Sequence, residues 1–135
     1  MDDLEDVSRV NVAGVHSITR AFLPLMRKGV RKRTVLNIST SLGSIAKQPV
    51  YKNSPVPLYK VTKAALNMLT VAFSRSWIRR DPPCSASIQV KWCRMDLGSR
   101  NADLPVETGV GAVLDVLGKT GREGNGRFFN VLVPG

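Results

Sequence analysis

Apolar residues recur at helical spacing along the first stretch of the chain. Between residues 3 and 28 the stripe runs Val7, Val15, Ile18, Phe22 and Met26, with Asn11 at the step between Val7 and Val15, which predicts one amphipathic helix. Asp2, Asp3, Glu5 and Asp6 crowd its start, and Arg27 and Lys28 its end, as the helix dipole favours. Pro24 is expected to kink the last turns, because it removes a backbone donor. His16, the only histidine, falls one step off the stripe and is placed on the surface. Asn11 interrupts a buried row, where an amide without partners costs roughly 1–3 kcal/mol. It reads either as a structural asparagine bonded to neighbouring backbone or as a site residue holding an ordered water.

The pattern then changes from periodic to continuous. Thr34-Val35-Leu36-Asn37-Ile38-Ser39-Thr40 is β-branched and unbroken, which predicts a buried strand of a parallel sheet. It ends in hydroxyls, followed by Ser41-Leu42-Gly43-Ser44. In open α/β sheets, ligands bind beyond the carboxyl ends of strands, so a hydroxyl there is placed to bond a substrate oxygen. Residues 44–57, with Pro49, Pro55 and Pro57, predict a loop long enough to act as a lid. A helix is expected over 58–77. Farther on, 106–119 predicts a short amphipathic helix and 128–133 a final buried strand entered through a Gly-rich turn.

With 135 residues and 43% hydrophobic content, the chain fits one domain with a core. No apolar run approaches membrane-spanning length. The acidic start, Met1-Asp2-Asp3-Leu4-Glu5-Asp6, lacks the apolar core of a signal peptide, so a cytoplasmic setting with reduced thiols is expected. Two cysteines, Cys84 and Cys93, are too few for a disulfide framework or a zinc site, and no metal is expected. The formal charge of +10 raises the question of a polyanion partner. Its densest block, Arg27-Lys28-Gly29-Val30-Arg31-Lys32-Arg33, reads instead as a cation-rich helix end followed by a solvated loop. Zinc-finger ligands and aromatics interleaved with basic residues are absent from the sequence, so nucleic-acid binding is not expected.

The residues with most chemistry are Tyr59 and Lys63. Four apart on a helix, they share one face, with Cβ atoms roughly 5–6 Å apart. An ammonium about 4 Å from a phenol, at an effective dielectric near 20, favours phenolate by roughly 4 kcal/mol. That amounts to a downward shift of up to about three pKa units from about 10. Such a pair can pass a proton to or from a carbonyl oxygen. On spacing alone it also reads as a surface tyrosine beside a solvated lysine.

Three motifs in order change that balance: Asn11 in Asn-Val-Ala-Gly, the run Asn37-Ile38-Ser39-Thr40-Ser41-Leu42-Gly43, and Tyr59-x-x-x-Lys63 with Ala64-Ala65-Leu66-Asn67. Together they resemble the short-chain dehydrogenase/reductases. The Ser-Leu-Gly-Ser-Ile wording and the long loop before the tyrosine are similar to the carbonyl-reductase-like branch. The resemblance covers residues 1–75 and 94–135. It implies the C-terminal half of a doubly wound Rossmann-type α/β fold, with about three parallel strands and flanking helices. It also implies NAD(P)-dependent interconversion of a small carbonyl and an alcohol.

By resemblance, Tyr59 is the general acid/base. Lys63 lowers its pKa and, with Tyr59, binds the nicotinamide ribose. Asn11 holds a water linking Lys63 to solvent. The catalytic serine of the family falls on Thr40, which keeps the hydroxyl while its methyl restricts the rotamer; Ser39 and Ser41 are the fallback positions. A homodimer through helices 3–28 and 58–77 is implied in the same way. The Gly-rich phosphate turn of the family is expected to precede residue 1. Gly118, Gly121, Gly124 and Gly126 precede a strand rather than follow one, so they are turn residues. Without a pyrophosphate site at a helix N-terminus, the chain as written is expected to bind dinucleotide weakly and to be inactive alone. The alternatives are a non-catalytic fragment acting through its helices and, after that, a basic nucleic-acid binder.

Residues 76–93 depart from the family wording. Val90-Lys91 stand where Pro-Gly belongs and Met95 where a threonine belongs, yet Asp96-Leu97-Gly98 return to pattern with no change in length. Codons allowed for Arg75 through Val90, read two bases on, can spell ELDKKGPSVFSINPG, the expected helix end, strand and turn. A shifted reading frame across this interval is therefore expected. Sequencing of the gene should show compensating insertions or deletions, or a misplaced splice junction, near codons 75 and 93; a stop codon in the shifted frame rules it out.

Overall fold

The computed structural model describes residues 3–29, 33–76, 84–89, 93–94, 102, 104–119 and 121–131. Asp3 caps the first helix, its carboxylate accepting from the Glu5 amide at 2.9 Å, which satisfies one donor that the first turn leaves unpaired. Helical backbone then runs from α1 (Leu4–Ser8) through a π-helical segment (Arg9–Gly14) into α2 (Val15–Lys28). Pro24 lies inside α2, and the helix continues past it. At the end, Gly29 donates to Met26 O at 3.2 Å, and the Arg33 guanidinium reaches the Met26 and Arg27 carbonyls at 3.4 Å each. Part of the basic block is thus a helix cap.

The π-helical segment corrects the predicted stripe. Its wider turn inserts one residue, which rotates everything downstream by about 100°. Val7 stays inside, but the buried row continues through Thr19, at 6% exposure, rather than through Ile18 and Phe22, which are 63% and 57% exposed. For the same reason His16 is half-buried rather than fully exposed: its ring stacks on Phe73 at a centroid distance of 5.6 Å.

Among the described residues, three strands form one parallel sheet in the order β1-β2-β3: β1 (Thr34–Ile38), β2 (Cys84–Gln89) and β3 (Phe128–Asn130). The fold is therefore the expected α/β one, a partial Rossmann-type sheet with flanking helices. β1 stops two residues short of the predicted Thr40, because a 3-10 turn (Ser41–Gly43) begins there. β3 is also shorter than predicted, although Val131 still donates to Gln89 O at 2.9 Å; residues 132–133 lie outside the described set. Within the off-pattern interval, β2 pairs Thr34↔Cys84 through Ile38↔Ile88, and Ala86 and Ile88 are almost fully buried. Residues 77–83 and 90–92 of that interval lie outside the described set. α4 (Val106–Lys119) occupies its predicted range.

Helix α3 (Pro57–Ser76) lies against the sheet. Sequence pattern alone makes β1 continuously apolar inside, yet Asn37 is 7% exposed and Ile38 55%. The reason is a buried hydroxyl junction. Thr70 Oγ1 donates to Leu66 O at 2.9 Å and accepts from Asn37 Nδ2 and Ser87 Oγ, both at 2.8 Å. Removing that hydroxyl leaves two buried donors without an acceptor, at about 1–3 kcal/mol each. Thr70→Val is accordingly expected to lower the denaturation midpoint more than Thr70→Ser, as read by urea unfolding.

Candidate active site

The site is built on the N-terminal turns of α3 and the carboxyl end of β1. Gly43 lets the two approach: a Cβ there would stand 2.7 Å from the Lys63 carbonyl carbon and 2.8 Å from the Ala64 nitrogen, both immovable backbone atoms. Lys63 Nζ donates to Ile38 O at 2.9 Å and lies 5.5 Å from the centroid of the Tyr59 ring. The lysine thus bridges the tyrosine face and the end of β1, two residues before Thr40. Tyr59 is 38% exposed.

The protonation balance differs from the expected one. Burial pushes the Tyr59 hydroxyl up from its usual value, and burial also lowers Lys63. Desolvation opposes charge on both groups. The ammonium sits over the ring and is spent on the Ile38 carbonyl, so the downward shift expected from a close amine-to-phenol contact does not arise. Burial thus favours the neutral phenol of Tyr59 over the phenolate.

Asn11 finds its partner across the helices. Its Nδ2 donates to Thr62 Oγ1 at 3.1 Å, and Thr62 Oγ1 donates in turn to Tyr59 O at 3.2 Å. Of the two readings for this asparagine, the structure shows a hydrogen-bonded amide whose chain of contacts ends on the tyrosine backbone. Thr62, 1% exposed, was not singled out from sequence; its position three after Tyr59 and one before Lys63 was the available signal. Asn11 and Tyr59 also both line an open, largely apolar groove of about 520 Å³, together with Val7, Val10, Pro55 and Val56.

The three hydroxyls at the end of β1 are sorted by their partners. Ser39 Oγ donates to Asn67 Oδ1 at 2.6 Å and faces α3. Ser41, 5% exposed, is held by the Tyr51 hydroxyl, and its amide donates to Gln89 Oε1 at 2.7 Å. Thr40 Oγ1 accepts from Leu42 N at 3.2 Å and keeps its own proton to donate. The fallback positions are therefore engaged elsewhere. Tyr51, Gln48 and Gln89, which fasten the loop, carried no recognisable pattern in the sequence. Gln48 does so by donating to Leu42 O and Ser44 O at 2.7 and 2.9 Å. Among the described residues no cluster of histidine, cysteine or carboxylate side chains could hold a metal, and no helix is long and apolar enough to cross a membrane.

No family model matches the chain, but individual proteins do. It is 30% identical over 131 residues to the C-signal protein of Myxococcus xanthus, covering 95% of this chain and 76% of that protein. The short-chain dehydrogenase srdF of Neurospora crassa is 26% identical over 137 residues, covering 96% and 54%. Among solved structures, the NADPH-bound carbonyl reductase from chicken fatty liver superposes with a TM-score of 0.85 at 27% identity, covering 96% of this chain and 55% of its own. Carbonyl reductase Sniffer of D. melanogaster gives 0.79 at 26%, covering 95% and 54%. The chain thus spans about half the length of these reductases. On sequence and fold together it belongs to the short-chain dehydrogenase/reductase family, in the carbonyl-reductase-like branch.

Proposed function

We propose that this chain carries the proton-transfer half of an NAD(P)-dependent carbonyl reductase acting on small ketones or aldehydes in the cytoplasm. The observation that carries the reading is Lys63 bridging the Tyr59 ring and the end of β1. Tyr59 donates a proton to the carbonyl oxygen as it becomes an alkoxide. Thr40 offers a hydroxyl to the same oxygen. Asn11 and Thr62 hold the tyrosine backbone, and an ordered water at Asn11 would connect Lys63 to solvent. Lys63 and Tyr59 suit the ribose end of a dinucleotide, the ammonium as donor and the phenol as partner. When bound, that cofactor supplies hydride at carbon. The glycine-rich phosphate turn has no counterpart in the sequence, so the 135 residues alone bind dinucleotide weakly.

The test is NADPH consumption with a panel of small ketones and aldehydes, by the chain alone and by the chain joined to the dinucleotide-binding half of a carbonyl reductase. The joined protein should turn over and lose about 10²–10⁴-fold in Tyr59→Phe. Its rate should hold through neutral pH and fall only in the alkaline range, where Lys63 and Tyr59 lose their protons. Turnover that survives Tyr59→Phe overturns the assignment.

A second reading is favoured by one observation: Ile18, Phe22 and Leu25 form an outward apolar row on α2, each more than half exposed. Such a row suits a helix-mediated contact, with a second copy as the partner the family resemblance implies. Sedimentation of the 135-residue chain should then show a dimer that Phe22→Asp converts to monomer. A chain that is monomeric before substitution excludes the contact.

A further inference from the structure

A second concavity, of about 380 Å³, lies on the flank of α3 between the loop after β1 and the start of β3. It is distinct from the groove beside Tyr59: the two have no lining residue in common. Its apolar wall is made by Ala64, Val71 and Phe128, and its charged side chains are Lys47 and Arg127. No carboxylate lines it among the described residues, and neither cation makes an ion pair there. Asn67 adds a directional donor. Its Oδ1 is taken by Ser39, so the amide nitrogen, a donor only, is the end left for the cavity.

Both cations stand on fastened backbone. Arg127 N donates to Gly124 O at 3.1 Å, and Arg127 O accepts from Ser87 N at 3.0 Å. The preceding Gly126 has φ +76°, and a Cβ there would meet Ser74 Oγ at 2.5 Å, so this turn presses against α3. Asn125 Nδ2 ties it down further, donating to Ser74 O at 3.1 Å. On the opposite rim Lys47 N donates to Ser44 O and Lys47 O accepts from Val50 N, at 3.3 and 3.1 Å. Two cations and an amide donor around an apolar wall match one ligand chemistry: an anionic head on a short hydrocarbon body. Fastened backbone at both rims limits how far the two exposed cations can stray, and charge-assisted hydrogen bonds favour a carboxylate over a neutral head.

We propose that this cavity binds a small amphiphilic carboxylate, with its head on Lys47, Arg127 and Asn67 and its chain on Val71 and Phe128. The test is titration of octanoate into the isotopically labelled 135-residue chain, followed by amide chemical shifts, with octanol and inorganic phosphate in parallel. Saturable shifts centred on Arg127, Asn67 and Phe128 are expected. Octanol and phosphate should each bind at least about tenfold more weakly. The double variant Lys47→Ala/Arg127→Ala, which changes only exposed side chains, should weaken octanoate by about tenfold or more. Shifts centred instead on Asn11 and Tyr59, equal binding of octanol or phosphate, unchanged affinity in the double variant, or no saturation would each overturn it. None of these readouts depends on reductase activity.

Discussion

The rotation of α3 on the sheet is the constraint from which the site follows. A helix held only by apolar contacts can slide and turn at modest cost, since such contacts have little direction. Here a single buried hydroxyl removes that freedom. Thr70 uses its proton on Leu66 O and both lone pairs on Asn37 and Ser87, so its capacity is fully used and two neighbouring strands are tied to one helix position. Leu66, one turn back, and Thr62, a turn before that, lie on the same buried row at 2% and 1% exposure. With that row against the sheet, the phase of Tyr59 and Lys63 is set. Gly43 then allows the strand end to approach the first turns closely enough for Lys63 to reach Ile38 O.

The long-period features of this arrangement were legible in the sequence. Helical spacing located α3 and α4 within a residue at their starts, and the β-branched run located β1, because period and composition report directly on which faces are buried. The phase of the first helix was not legible. A π-helical insertion leaves the apolar spacing looking regular, and only the tertiary contacts show that Thr19 and His16 turn inward while Ile18 and Phe22 turn out. Asn37 was hidden for a related reason: within an apolar run a single amide looks incidental until its partner, 33 residues away, is known.

The candidate site divides in the same way. Spacing and resemblance named Asn11, Thr40, Tyr59 and Lys63, and chose Thr40 among three consecutive hydroxyls by its place in the motif, without showing what each hydroxyl contacts. The structure does. Ser39 is committed to Asn67 and Ser41 to Tyr51, contacts that depend on loop closure and on a helix residue 28 positions away. The simple two-charge estimate for Tyr59 also failed on geometry. It assumed an ammonium at the phenol oxygen, whereas the lysine lies over the ring and bonds to a carbonyl.

That displacement decides which protonation state of Tyr59 the residues present support. A base must be a phenolate, and making one at neutral pH requires a cation close to the oxygen in a place where water cannot screen it. Burial works against it here, raising Tyr59 and lowering Lys63 together, and no second cation contacts the phenol among the described residues. A neutral phenol keeps its proton without such help, and burial secures that state. Burial therefore favours the neutral phenol and the neutral amine in this arrangement. A stable phenolate would require Lys63 to leave the Ile38 carbonyl and approach the phenol oxygen.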